Sequence, residues 1–396
     1  MKRIRKGVFA GLSFNVIILG IISLLMDMSS EMIMPILPLF LITLGAGPLI
    51  IGLIEGLADS TASILKVVSG FCSDRLGRRK PFVSAGYSAS TIAKVILPLA
   101  LSWPHVLLAR FFDRVGKGVR DAPRDAIIAT SSEKGKAFGF HRAMDTTGAV
   151  VGPLLVLLLF AALWYRGVFW VAIIPAAVAA VLTWAIREIP SKARPTAGSL
   201  SKDLRLFLVI IAVFSLGNFS YAFFVLRASE LFGAPLADMS AEMLAGTVGP
   251  VVAIYLLFNV VYALFAMPLG MLSDRIGRRP LIMAGYILFG GTCFGFAWAS
   301  VWYHAVLLFV AYGIALAINE TVQRAFVADF APAEVRGTAL GAYHTVVGLC
   351  ALPSSLIAGW LWQTISPQVM YLYGGGMAVV ACIAFAIAFR GRQEKI

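Results

Sequence analysis

The sequence predicts an all-α membrane protein with twelve transmembrane helices in two pseudo-symmetric six-helix halves. Of its 396 residues, 60% are apolar and only 13% are charged, so the chain cannot cover itself with a polar surface and its solvent must be lipid. At roughly 20 residues for each span, this length is ample for about a dozen helices. A charged segment that occurs twice divides these helices into two related sets.

The duplicated segment leaves one apolar stretch and enters the next in each half of the chain. It reads Gly70-Phe-Cys-Ser-Asp74-Arg75-Leu-Gly77-Arg78-Arg79 first and Gly270-Met-Leu-Ser-Asp274-Arg275-Ile-Gly277-Arg278-Arg279 second. Over residues 73–79, six of seven positions are identical to the later copy. We call residues 74–79 the first hinge and residues 274–279 the second hinge. Parallel repeats of this kind predict two bundles of the same topology.

The apolar segments define the predicted spans. They cover residues 12–42, 48–73, 80–102, 104–130, 137–162, 167–187, 205–231, 248–273, 281–301, 303–329, 338–362 and 370–390. The longest polar stretch, residues 187–205, contains prolines, glycine, serines and lysines typical of a linker. We therefore predict a bundle over residues 1–190, a cytoplasmic linker over 191–204 and a second bundle over 205–396.

The basic residues predict the orientation in the membrane. With a cytoplasmic N-terminus, 22 Lys and Arg residues fall on the cytoplasmic side, and Arg166 alone falls on the other side. This bias predicts that both termini are cytoplasmic. The net charge of +13 does not indicate nucleic-acid binding, because the basic residues sit in short loops between spans and follow the orientation rule.

The hinges have a physical interpretation. An aspartate at a helix end, a glycine that permits a tight turn and flanking arginines can form a switchable charge network between helices. The alternative is a set of solvated loop charges that only obey the orientation rule. The first hinge resembles the signature loop of the major facilitator superfamily, and residues 332–337 resemble that family's turn before span eleven, with a degraded counterpart at 132–135.

This resemblance covers essentially the whole chain and implies a secondary transporter with the facilitator fold. A second motif lies in span five, where Gly148, Gly152 and Pro153 resemble the motif of antiporter members, which export their substrates. Glycines at this spacing let two helices approach closely. The alternative is ordinary packing of small residues.

The fourth predicted span is unusually charged. Its charged residues recur at steps of three and four: Arg110, Asp113, Arg114, Lys117, Arg120, Asp121, Arg124 and Asp125. Each would cost roughly 2.5–3.5 kcal/mol in the bilayer centre, so they must pair across helices or line a watery cavity. The resemblance places spans one, four, seven and ten around the substrate path. It implies these cavity residues: Arg110, Asp113, Arg114, Lys117, Asn218, Tyr221, Asn319, Glu320 and Gln323.

Proton coupling has its own candidates. Asp27 and Glu31 lie one turn apart in span one, and Asp145 lies in span five beside His141. Burial disfavours the charged form of a carboxylate, so a buried carboxylate can hold a proton. A proton carrier needs such a group, because it must take up a proton on one side of the membrane and release it on the other. The alternative role is to neutralise the basic stripe of span four. Methionines around Asp27 leave a metal substrate open, but no resident metal or cofactor is expected.

The sequence as a whole predicts proton-coupled export of a small molecule by alternating access. We expect a monomer in the plasma membrane of a bacterial-type cell, that is, an inner membrane, and no catalysis, because no Walker loop, zinc-protease motif or nucleophile elbow occurs. Three alternatives stay open: a metal-ion or metal-chelate exporter, an organic-anion uptake symporter, and a membrane sensor that does not transport.

Overall fold

The computed structural model describes residues 12–131, 134–188, 200–233, 241–331 and 336–390, and this part of the chain is helical with no strand. The helices are α1 (Phe14–Ile33), α2 (Leu37–Thr43), α3 (Pro48–Leu76), α4 (Lys80–Leu99), α5 (Trp103–Ile128), α6 (Lys134–Leu182), α7 (Lys202–Gly217), α8 (Tyr221–Leu231), α9 (Ala241–Ile276), α10 (Arg278–Trp298), α11 (Trp302–Asp329), α12 (Arg336–Thr364) and α13 (Pro367–Ala388). Residues 132–133, 332–335 and most of the predicted linker, 191–199, lie outside the described residues.

These helices account for the twelve predicted spans. Ten segments of the described chain are long and apolar enough to cross a membrane. One of them contains two spans, because α6 leaves helical geometry at Trp164, where φ is 54°. The charged helix α5 is not among the ten but is 26 residues long, which is enough to cross.

Two spans are broken inside the membrane. Span one stops at Ile33 and resumes as α2, because Pro35 and Pro38 lack the backbone donors that a continuous helix needs. Span seven breaks between α7 and α8, where Asn218 caps one helix and the Ser220 side chain accepts a bond from the Ala222 amide. Such irregular backbone is tolerated in a membrane where it lines a cavity or is buried in protein.

The two bundles have different interiors. Helices α1 to α6 bury charged side chains, among them Glu55, Lys94 and Arg110. Helices α7 to α13 instead pack aromatic rings, such as Phe224 stacked on Tyr312 with ring centroids 4.3 Å apart. The second bundle is thus held by apolar packing, while the first keeps charge near its centre.

The bundles meet along two seams, α3 against α12 and α6 against α9. Glycine makes the first seam close, because a Cβ at Gly56 would lie 2.9 Å from the Cα of Leu352. The hydroxyl of Ser60 donates to the carbonyl of Gly348 at 2.5 Å and accepts from the amide of Leu352 at 3.1 Å. These contacts stabilise the packing of α3 against α12 in this conformation of the two bundles.

Both hinges turn at a glycine. Gly77 has φ of +65° and Gly277 has φ of +93°, a backbone region that residues with a Cβ rarely adopt. The two hinges lie at the same end of the molecule, which we call the hinge end. The opposite end is called the far end.

Candidate functional site

A central cavity of about 590 Å³ lies between the two bundles, within the range of small-molecule sites. Its lining from the first bundle includes Asp27, Glu31, Met34, Asp59, Lys66, Arg114, Lys117, Asp121, Arg142 and Asp145. Its lining from the second bundle includes Asn218, Tyr221, Tyr255, Phe258, Asn259, Tyr262, Tyr312, Glu320, Arg324 and His344. Charge therefore dominates one wall, and aromatic and amide groups dominate the other.

The cavity is closed at its far-end side and opens towards the hinge end. Tyr255 and Asn259 at the closed side are 4% and 8% exposed. Nearer the hinge end, the side chains of Arg324 and Glu320 are 40% and 43% exposed. A solute would thus enter from the hinge end in this conformation.

The closed side is held by hydrogen bonds between the bundles. The hydroxyl of Tyr255 donates to Oε2 of Glu31 at 2.8 Å, and the Asn259 amide donates to the same oxygen at 3.4 Å. The hydroxyl of Tyr221 donates to the carbonyl of Met34 at 3.2 Å. Glu31 is therefore both a cavity carboxylate and a contact between the bundles.

A second connection lies nearer the hinge end. The guanidinium of Arg142 on α6 donates to the hydroxyl of Tyr262 on α9. That hydroxyl donates in turn to Glu320 at 2.8 Å, and Arg324 pairs with the same carboxylate at 3.1 Å. This chain of four polar side chains crosses the cavity near its opening.

The charged stripe of α5 divides into two groups. Arg110 binds Glu55 through two bonds, of 3.0 and 2.6 Å, inside the first bundle. The Asp113 carboxylate lies 3.7 Å from both Arg110 and Arg114. Of the stripe, only Arg114, Lys117 and Asp121 reach the cavity lining.

The hinge-end part of the stripe makes contacts within α5 and with α4. Arg124 lies 3.4 Å from Asp121 and 2.9 Å from Asp125. Arg120 donates to Ser90 at 2.6 Å and lies over the ring of Tyr87. The contacts of Arg120 tie α5 to α4, whereas Arg124 pairs within α5, and neither arginine is part of the cavity lining.

The two hinges use different arginines. In the first, Arg79 pairs with Asp74 at 3.3 Å and donates to the carbonyl of Ala126 at 3.1 Å. In the second, Arg278 pairs with Asp274 at 2.6 Å and also with Asp329 at 3.1 Å. A repeated sequence therefore makes related but unequal charge networks.

The remaining hinge residues have simpler surroundings. Arg75, Arg78 and Arg275 are exposed, and Arg279 donates to the carbonyl of Phe389 at 3.2 Å. At Gly70, four residues before the first hinge, an added Cβ would lie 3.2 Å from the Cβ of Ala122.

Comparison with known proteins decides the family. The sequence profile of the Major Facilitator Superfamily matches residues 19–258 and 208–396 of the chain. The chain belongs to the Major Facilitator Superfamily. It is therefore a secondary transporter, a multi-pass membrane protein whose family carries small molecules.

Relatives and solved structures of the superfamily align over nearly the whole chain. An uncharacterized MFS-type transporter of Methanocaldococcus jannaschii is 44% identical over 93% of this chain and 94% of its own length. The crystal structure of the nucleoside transporter NupG covers 96% of this chain and 100% of its own at 16% identity, with a TM-score of 0.76. A bacterial homologue of the human lysosomal transporter Spinster, inward-facing and occupied, covers 96% and 98% at 16% identity, also with a TM-score of 0.76. These structural likenesses establish the facilitator fold.

Some of the candidate residues of this superfamily member line the cavity, and others lie elsewhere. Asp27, Glu31, Asp145, Arg114, Lys117, Asn218, Tyr221 and Glu320 all line the cavity. Arg110 and Asp113 instead lie among α1, α3, α4 and α5, because Glu55 draws Arg110 into the first bundle. Asn319 and Gln323 bond to each other at 3.3 Å, and Tyr343 donates to Gln323 at 3.1 Å, so these amides join α11 to α12.

The glycines of the antiporter-like motif contact span one. A Cβ at Gly148 would lie 2.5 Å from the carbonyl oxygen of Leu24, and one at Gly152 would lie 2.8 Å from the Cβ of Glu31. Pro153 follows within α6 and is buried. The motif therefore sets how closely α6 approaches the turns that carry Asp27 and Glu31.

Two polar residues of this transporter were not anticipated from the sequence. Tyr255 is one, although Tyr255, Asn259 and Tyr262 recur at helical spacing on α9 and could have marked a polar stripe. Lys94 is the other: it is 2% exposed and donates to Ser29 at 2.7 Å and to Ser30 at 3.0 Å. A single lysine in an apolar span carries no periodic signal.

Proposed function

We propose that this protein exports a small molecule in exchange for protons, with substrate access alternating as the two bundles rock. The observation that carries the proposal is the bond between Tyr255 and Glu31, because it places a cavity carboxylate at the contact between the bundles. A hydrogen bond to an ionised carboxylate is roughly twice as strong as one between neutral groups. Protonation of Glu31 would thus weaken the far-end closure, and proton release would strengthen it.

Asp27 is the second proposed proton site. It lines the cavity one turn before Glu31, and in the described part of the chain no hydrogen bond or ion pair holds it. A carboxylate open to a watery cavity can exchange protons with the side to which that cavity opens. Oδ2 of Asp145 lies 3.3 Å from Nδ1 of His141, and this contact favours a positioning role for Asp145.

Orientation and packing both support export as the proposed direction of transport. The bias of basic residues towards the hinge end supports a cytoplasmic hinge end, so the cavity described above would load from the cytoplasm. The glycine contacts of α6 with α1 support the antiporter interpretation, because they couple the carboxylate-bearing turns to the inter-bundle helix α6. We propose a monomer in the plasma membrane, of the bacterial inner-membrane type, with both termini cytoplasmic and a linker at residues 191–204 between bundles 1–190 and 205–396.

The metal alternative gains no support from the described residues, where no group of three or more His, Cys, Asp and Glu side chains could hold an ion. An organic-anion symporter and a sensor are separated from the proposal by proton flux. In an exporter driven by protons, adding substrate to one side of a proteoliposome should move protons towards that side. A symporter moves them away from it, and a sensor moves none.

The experiment is performed with the intact chain in proteoliposomes that contain a pH-sensitive dye, against a panel of organic cations, anions and zwitterions. We expect Glu31→Gln and Asp27→Asn to abolish proton flux that depends on solute. Glu230→Gln is the matched control, because Glu230 pairs with Arg227 at 2.7 Å and does not line the cavity. Unchanged coupling in both Glu31→Gln and Asp27→Asn would contradict the proposed proton sites.

A further inference from the structure

Arg114 is a buried cation whose hydrogen-bonding capacity is largely unused. The residue is 5% exposed and lines the cavity. Among the described residues, its Nε has no hydrogen-bond partner and lies 3.7 Å from the Asp113 carboxylate, and its Nη2 reaches only the Met34 sulfur at 3.6 Å. Arg110, in contrast, is satisfied by Glu55 through two bonds. A planar guanidinium with free donors fits a carboxylate or phosphate through two parallel bonds.

Two lysines extend this positive wall towards the hinge end. Lys117 lies about 4.5 Å further along α5 than Arg114, at roughly 1.5 Å of rise per residue. Lys66 of α3 lines the same cavity. In the described chain the side-chain ammonium of neither lysine takes part in a hydrogen bond or in an ion pair. The wall therefore offers several positive groups to an anionic group of a ligand.

The same wall also carries carboxylates. Asp27 and Asp59 line the cavity, and within the described residues neither accepts a hydrogen bond or joins an ion pair. A ligand with only negative charge would be repelled by these two carboxylates, and a ligand with only positive charge would be repelled by Arg114. A ligand that carries both an ammonium and an anionic group matches both sets.

The opposite wall fits an apolar or aromatic body. The rings of Tyr221 and Tyr255 lie 5.8 Å apart, and Phe258 stacks on Tyr312 at 5.0 Å. All four side chains line the cavity. Rings placed in this way bury a flat apolar group, which the charged wall cannot do.

We propose that the transported molecule is a zwitterion with an apolar body, whose anionic group binds Arg114 and Lys117 and whose ammonium binds Asp27 and Asp59. The inference rests on the proposed export function and deepens it, since an ammonium and a proton compete for the same carboxylate. That competition makes exchange, and not joint movement, the natural outcome. The anionic group is a carboxylate or a phosphate, which share this chemistry.

The test is ligand-induced thermal stabilisation of the purified chain, because a ligand of the folded state raises its melting temperature. The probes are matched triplets: phenylalanine, 2-phenylethylamine and 3-phenylpropionate, and then tryptophan, tryptamine and indole-3-propionate. Phosphoethanolamine and β-alanine distinguish a phosphate from a carboxylate. We expect stabilisation by zwitterions at concentrations at least tenfold lower than by the matched amine or acid.

The variants assign each charge. Arg114→Gln should weaken binding of the zwitterion at least tenfold and leave the matched amine as the better ligand. Asp27→Asn should instead shift the binding preference towards the matched acid. Arg114→Lys keeps the charge and should retain part of the binding. Arg120→Gln is the matched control, because that buried arginine of the same helix is not part of the cavity lining.

Two outcomes would overturn the inference: stabilisation by amines or acids alone, or no stabilisation by any zwitterion of the panel. Neither outcome touches proton coupling, which the proteoliposome flux measures separately. Loss of flux with zwitterion binding intact would instead contradict the export function.

Discussion

Tyr255 and Glu31 join the two bundles through a hydrogen bond of 2.8 Å, between a helix of the second bundle and the carboxylate-bearing turn of the first. The contact lies at the closed side of the cavity, where Tyr255 is 4% exposed. It therefore links the charge of one carboxylate to the position of two bundles.

Removal of the Tyr255 hydroxyl should weaken the far-end closure. A hydrogen bond to a charged group contributes about 1.5–3 kcal/mol, so Tyr255→Phe should lower thermal stability by an amount of that order. In a Glu31→Gln background the same change should cost less, and a double-mutant cycle measures the difference. Tyr303→Phe is the control, because Tyr303 is 51% exposed. Additive effects of Tyr255→Phe and Glu31→Gln would show that the two residues do not interact.

The first hinge should matter more than the second. Asp74→Asn removes the charge that pairs with Arg79, and we expect transport to fall severely while membrane insertion stays intact. Asp274→Asn should have a smaller effect, because Arg278 keeps Asp329 as a partner at 3.1 Å. Transport rates in proteoliposomes at equal protein content measure both changes. Equal rates for the wild type and Asp74→Asn would refute a switching role.

The pair of Arg110 and Glu55 should behave as a buried structural unit. Glu55 left alone is an uncompensated buried charge, which costs about 3–5 kcal/mol, and Arg110 left alone keeps only the weaker contact with Asp113 at 3.7 Å. Glu55→Gln and Arg110→Gln should each reduce thermal stability strongly, and the double variant should recover much of the loss. A double variant less stable than both single variants would contradict the direct pairing.

The glycines of α6 should tolerate no side chain where they meet α1. A Cβ at Gly152 would lie 2.7 Å from the carbonyl oxygen of Met28, so Gly152→Ala should separate the helices and lower both stability and transport. For Gly139 of the same helix, no described residue has an atom within 4 Å of an added Cβ. Gly139→Ala should therefore be neutral, or stabilising by up to about 1 kcal/mol through helix propensity. If the two variants melt at the same temperature, the close approach is not important for stability.

Much of the architecture is encoded locally. Apolar segments of membrane length specify the spans, and the repeated hinge specifies their grouping, because a helix in lipid satisfies its own backbone and needs no distant partner. A buried charge cannot face lipid, and the resemblance to the facilitator superfamily placed the spans that carry Asp27, Glu31, Arg114 and Lys117 around a common path. These residues all line the cavity.

The tertiary structure decided which charged side chains are bound by other residues of the protein and which remain available to a ligand. Arg110 and Arg114 lie one turn apart on one stripe of α5, yet the first is satisfied by Glu55. The second lines the cavity, and its Nε makes no hydrogen bond within the described residues, although Asp113 lies 3.7 Å away. The partner comes from α3, more than fifty residues away, and helical periodicity carries no information on distant side chains. Tyr255 likewise became important only because α9 packs where its hydroxyl meets Glu31. Sequence determined the spans and the charges that had to be accommodated, and packing between helices determined the partner of each charge.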